Sequence, residues 1–225
     1  MGTRATAGTC LEALVKMAVP LLREAERRGP RTGPGAKPVI PDWLIGVLIM
    51  VGVLKRRKSK SAQCRFFSDP GNRQRIAEAA GCDAFPSRST FFRRYKRAQA
   101  LFRTAIRLQG EKAIAAGLAD PEVVAADKSL IAARGPLWHK RDRQAGRIPK
   151  GLHGVDREST WGCSQHDGWV QGYSFEVVVT ATAGSIVFPL LASADTASAK
   201  ETQAFREKIA ALSDNTHCVL VDSGY

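Results

Sequence analysis

The chain has 225 residues, 44% of them hydrophobic and 24% charged, which fits a globular protein of one or two domains and excludes a disordered or fibrous one. The net charge is +13 and one-sided: residues 1–112 carry 23 basic and 8 acidic side chains, residues 113–225 carry 11 and 13. A basic half joined to a near-neutral half predicts an arm that holds a polyanion and a body with a separate task.

Five cysteines (Cys10, Cys64, Cys82, Cys163, Cys218) form no CxxC pair, and their odd number argues against a disulfide framework and for a reducing, cytoplasmic compartment. The longest apolar run, Trp43 to Leu54, has twelve residues. A membrane-spanning helix needs about 20, so the run predicts a buried core helix and no membrane partner. Met1 is followed by no signal-peptide pattern.

Leu11, Leu14, Val15, Ala18, Leu22 and Ala25 recur at helical spacing and predict a first amphipathic helix over about Thr9–Arg28, with Pro20 inside it. Residues 29–41, rich in Pro and Gly, read as a linker. The apolar helix then starts at Asp42, an expected N-cap, and leads into the basic stretch KRRKSKSAQCRFF. Asp69-Pro70 is a cap and first-turn pair for a helix ending near Gly81. A further helix, capped by Ser87 or Ser89, is expected to run unbroken to about Ala116. On a wheel, Phe91, Tyr95, Ala98, Phe102, Ala105 and Ile106 share one face, and Arg93, Lys96, Arg97, Arg103 and Arg107 share the other. Only Glu111 offsets the basic residues from Arg88 to Lys112, so this is not an ordinary solvated surface of mixed sign. Short helices ending in a basic one predict a double-stranded DNA-binding region in which Arg88, Arg93, Arg94, Lys96, Arg97, Arg103 and Arg107 meet phosphates.

After Pro121 the period changes from helix to strand: Glu122–Ala132, Val170–Ala181 and Ile186–Ala192 are strand candidates. A capping box, Ser198-x-x-Glu201, opens a helix to about Leu212, and a last strand, His217–Val221, precedes Asp222. The order β-β-β-α-β predicts a mixed sheet whose fourth strand returns beside the first. The polar stretch Arg134–Trp169 is read as one long loop, whose Trp138 and basic residues, Lys140 and Arg141 among them, either touch DNA or stand in solvent. Within it Cys163-x-x-His166, with His139 and His153, offers a zinc alternative that lacks a second close pair.

Two aspartates stand out. Asp127 lies mid-strand among apolar residues, where a carboxylate is costly unless paired, and Asp222 ends VLVD. If the first and last strands are parallel neighbours, both carboxylates meet at one edge and suit Mg²⁺ or Mn²⁺. Two such ions about 3.5–4 Å apart serve phosphodiester transfer.

Four segments carry a resemblance. AFPSRSTFFRRYKR resembles the "PS-x-ST-x-x-RR" helix start, VVAADKSLI the first catalytic strand, WGCSQHDGWVQGYSFEVVV the "WG…GYK" second strand, and VLVDSGY the "VLADAGY" strand end of DDE transposases of the type-four/type-five insertion-sequence group. The resemblance covers about residues 40–225. It implies an α+β chain in three parts: an N-terminal helix and linker (1–41), an all-helical DNA-binding region (42–118), and the first part of a ribonuclease H-like mixed-sheet catalytic domain (119–225). Asp127 and Asp222 would be the first two acids of the triad and the ligands of Mg²⁺ or Mn²⁺. DNA cleavage and strand transfer would be the activity, transposon-end and target DNA the partners, with a homodimer on DNA, and the bacterial nucleoid the location. The family's third acid, a glutamate, belongs on a helix beyond Tyr225, so a fragment or truncated gene is expected. The alternatives are a transposase remnant that binds the ends without cutting, and a helix-turn-helix regulator that would leave Asp127 unexplained. Ser174-Phe175-Glu176 departs from the family, which more often has Lys and His there.

Overall fold

The computed structural model describes residues 10–29, 39–164, 166, 168–199, 212 and 214–222. The chain is α+β: helices precede a curled mixed sheet. It divides into two compact units, 1–109 and 110–225. The first helix shares the core of the first unit.

In the helical unit, α1 (Leu11–Arg28) buries Leu14, Val15, Ala18 and Leu22 on one stripe and accommodates Pro20. Buried on nearly every side, α2 (Asp42–Leu54) forms the centre of the core, as a helix apolar all round must. Its N-cap is Pro41 rather than Asp42, and the start is capped from outside: Glu26 of α1 accepts the backbone N–H groups of Asp42 (2.6 Å) and Trp43 (3.3 Å). Ser59 caps α3 (Lys60–Ser68) and Asp69 caps α4 (Pro70–Ala80), which ends at Gly81 in the left-handed conformation, φ 61°. Ser87 accepts from Thr90 N–H at the start of α5 (Arg88–Tyr95). The long basic helix is two: α5 stops at Tyr95, Arg97 N–H turns back to Arg94 O (3.0 Å), and α6 (Ala98–Ala115) begins afresh. The break resets the helical phase, so Leu101 and Leu108 are buried while Phe102 and Ile106 are only half-buried.

The sheet has five strands: β1 (Val123–Ala132), β2 (Thr160–Ser164), β3 (Gly168–Thr180), β4 (Pro189–Thr196) and β5 (Cys218–Leu220). The 13-residue β3 is central. Along one edge it pairs antiparallel with β1; along the other it takes β2 on its first part and β4 on the rest. β5 lies parallel to β1, on the side away from β3. Val124, Ala126 and Val178 on one face form a small core with Leu190, Ile114 and Val219. Gly172 pairs on both edges at once, and a Cβ there would overlap the carbonyl oxygen of Ile131.

The expected strand Ile186–Ala192 begins later: Ile186 and Val187 are exposed in the connection, and β4 runs on to Thr196. The expected long loop is not one, since it contains α7 (Lys140–Gln144) and β2. The expected helix from Ser198 lies mostly outside the described residues.

Candidate functional site

In β1, Val124 and Ala126 face the covered side, which puts Asp127 on the other, exposed side with Ala125 and Ser129. The expected burial cost is therefore absent: the residue is exposed, and its Oδ1 accepts from Lys128 N–H (2.7 Å). β5 pairs with β1 in the register Val123↔Cys218, Val124↔Val219, Ala125↔Leu220. Asp127 lies two residues beyond Ala125, and Asp222 two residues beyond Leu220. Equivalent positions of adjacent parallel strands share a face, with backbones about 4.8 Å apart. Asp222 is also exposed. β5 ends at Leu220, so Asp222 follows the strand rather than lying in it. As donors the two carboxylates are of the hard oxygen kind that Mg²⁺ takes one or two of while keeping several waters. Among the described residues, no group of three His, Cys, Asp or Glu side chains stands close enough to hold a metal.

On the covered face, Glu176 is 4% exposed and opposite Lys128 in the register, and Lys128 Nζ donates to Ala199 O (2.9 Å). Ser174 is buried on the same side. Of the three residues at which the chain departs from the transposase pattern, Ser174 and Glu176 thus lie on the covered face, and Phe175 is exposed on the other.

On the helices, Arg88, Arg93, Lys96, Arg97, Arg103 and Arg107 are exposed. Arg94 is not. It is 7% exposed, and its guanidinium donates through Nε to Asp42 Oδ1 (2.9 Å), through a second nitrogen to the same carboxylate, and through the third to Ile40 O. Its place as a DNA contact is thereby corrected to a tie between α5 and the start of α2. The signal lay in the wheel: Arg94 is three residues after Phe91, on the buried flank.

Lys140 and Arg141 are exposed on α7. Trp138 is buried and is no surface contact: its N–H donates to Gln171 Oε1, its Nε1 to Arg147 O (2.8 Å), and Trp161 Nε1 donates to its carbonyl (2.9 Å). Gln171 is itself buried and donates to Ser159 Oγ (3.0 Å). The Tyr173 hydroxyl bonds the Asp156 carboxylate (2.9 and 2.8 Å). Burial, with Asp156 beside it, pushes the Tyr173 phenol up to about 12. Sequence reasoning missed this network because its partners are far apart in the chain; only the alternation in Thr160-Trp161-Gly162-Cys163 hinted at β2. Of the zinc alternative, Cys163, His139, His153 and His166 are exposed.

No helix among the described residues is long and apolar enough to cross a membrane. No family model, curated protein or solved structure matches the chain.

Proposed function

We propose that the chain is the DNA-binding region and first part of the ribonuclease H-like catalytic domain of a DDE transposase. The observation that carries this is the parallel pairing of β5 with β1, which ends at Ala125↔Leu220 with Asp127 and Asp222 each two residues further along the chain. The strand order β4-β3-β1-β5, with β3 antiparallel to both β1 and β4 and with β5 parallel to β1, supports it as a mixed sheet whose last strand lies beside the first.

Asp127 and Asp222 would hold Mg²⁺ or Mn²⁺, with water completing the shell. When bound, such ions activate the attacking oxygen and stabilise the leaving one in phosphodiester transfer. The exposed Arg88, Arg93, Lys96, Arg97, Arg103 and Arg107, with Lys140 and Arg141, hold the DNA backbone and set its position. Water would first cleave the phosphodiester at the element's end, and the freed 3′-hydroxyl would then attack a target phosphorus, its new P–O bond forming as the bond to the target's own 3′-oxygen breaks.

The test uses the chain, with any open reading frame that continues it, and DNA carrying any inverted repeats found on the two sides of its gene. Mg²⁺-dependent strand cleavage is expected, with Asp127→Asn abolishing it and leaving DNA binding unchanged. Undiminished cleavage by that variant overturns the assignment; binding without any cleavage in the parent points to an end-occupying repressor.

A further inference from the structure

The helical unit carries a second cluster of positive charge, in the stretch joining α2 to α3, which the basic face of α5 and α6 does not include. The chain has no acid between Asp42 and Asp69, whereas Lys55, Arg56, Arg57, Lys58, Lys60 and Arg65 fall together there.

Its backbone is built, not slack. Lys55 N–H donates to Val51 O and Arg57 N–H reaches back to Gly52 O, both 2.8 Å, closing the end of α2. This closure requires a left-handed residue between them, and that residue is Arg56, φ 57°. Among the described residues it is the only non-glycine with positive φ. Glycine serves such positions because it has no Cβ to clash. An arginine kept there favours charge over backbone ease, and strained residues of this kind gather at ligand clamps.

The neighbouring side chains are equally fixed. Buried Gln63 donates through Nε2 to Arg57 O (3.1 Å) and fills the space a Cβ on Gly52 would need, locking the turn onto α3. The Arg57 guanidinium lies 5.1 Å from the centre of the Phe66 ring, and Arg57 and Arg65 line one recess with Asn72 and with Asp69, whose Oδ1 accepts from Asn72 N–H (3.0 Å). Lys60 Nζ lies 4.9 Å from the Tyr95 ring, immediately before Lys96 and Arg97, so the turn adjoins the basic end of α5.

We propose that Arg56, Arg57 and Arg65 form a clamp for the phosphate backbone of double-stranded DNA, positioning the duplex without reading its bases. It rests on the proposal that the helical unit binds duplex DNA, and adds a second strand-gripping surface beside α5. The Arg57 guanidinium, held over Phe66 on a locked backbone, loses little freedom on gripping phosphate, and Arg56 and Arg65 add exposed charge beside it.

Binding of the whole chain to two unrelated duplexes is measured by fluorescence anisotropy across a salt series. R56G removes charge and relieves the backbone, so its urea midpoint should be no lower than the parent's while its affinity falls for both duplexes alike. The slope of log K against log salt should flatten by about one for R56G and about two for R57A/R65A, one per lost phosphate contact. R93A/R97A serves as the independent variant on α5. If the parent binds and R93A/R97A weakens it, but R56G and R57A/R65A keep parental affinity and slope, the clamp is refuted and DNA binding stands. If the parent binds no duplex but binds polyglutamate, both proposals fall, and the cluster is a site for acidic peptides.

Discussion

Arg94 separates a DNA contact from a structural tie. Substituting alanine deletes every hydrogen bond that its guanidinium makes to Asp42 and Ile40. Removing one member of a buried ion pair costs about 3–5 kcal/mol, because the other charge is left uncompensated. The Arg94 side chain is 8% exposed, but that of Asp42 is 38% exposed, so water reaches the orphaned carboxylate and the loss belongs at the lower end. Together with the lost packing of the side-chain stem, Arg94→Ala should destabilise the helical unit by about 3 kcal/mol. With a urea slope of about 2 kcal/mol per M, the midpoint then falls by about 1.5 M. Arg94→Lys keeps the charge but not the planar fork, and should lose about half as much. Urea unfolding followed by hydrogen exchange in peptides of α2 and α5 reports on this unit alone. An unmoved midpoint combined with weakened DNA binding would place Arg94 on the DNA surface and refute the tie.

Two further outcomes follow from the sheet unit. Gly172→Ala drives a methyl group into the carbonyl oxygen of Ile131, backbone against backbone, so neither side can yield cheaply; β1 and β3 should lose hydrogen-exchange protection by at least about 3 kcal/mol, and a variant protected like the parent would contradict the β1–β3 register. The Tyr173 phenol, held up to about 12 by burial first and Asp156 second, favours the folded state while protonated; its contribution should be intact below pH 10 and lost as pH rises through 12. Ultraviolet titration of the phenolate in the parent, compared with Asp156→Asn, should bring the transition partway back toward 10, burial accounting for the rest. Ionisation of Tyr173 at an unshifted 10 in the parent would refute the contact.

Local chemistry was legible wherever it is written in adjacent residues. Asp69 and Ser87 cap their helices with side-chain oxygens, and Gly81 ends α4 because it lacks a side chain to oppose positive φ. The change of period at Pro121 announced β1 and β3, and the return of β5 beside β1 followed from how crossovers connect strands. What escaped depends on partners distant in the chain. The extent of β4 is set by pairing with β3 as far as Tyr173↔Thr196, which its own Ile186-Val187-Phe188 does not encode. No glycine or proline marks the break after Tyr95, and the burial of Arg94 follows from Asp42, 52 residues earlier. The exposure of Asp127 could not be told from its apolar neighbours, because alternation gives two faces and not which of them is covered.

The double pairing at Gly172 has a consequence for how this chain can change. Ala132 faces Gly172, and Ala133 N–H donates to Gln171 O (2.8 Å), so the polypeptide departs from the sheet and re-enters it at the same rung. The segment between β1 and β3 is therefore an excursion from a hairpin, and on its way back it lays β2 along the far edge of β3. Because the entropy of closing a loop grows only slowly with its length, insertions confined to the exposed turn at 148–151 should cost little, whereas Trp138, Ser159 and Trp161, tied to Gln171 or to one another, fix the rest of the excursion to the sheet.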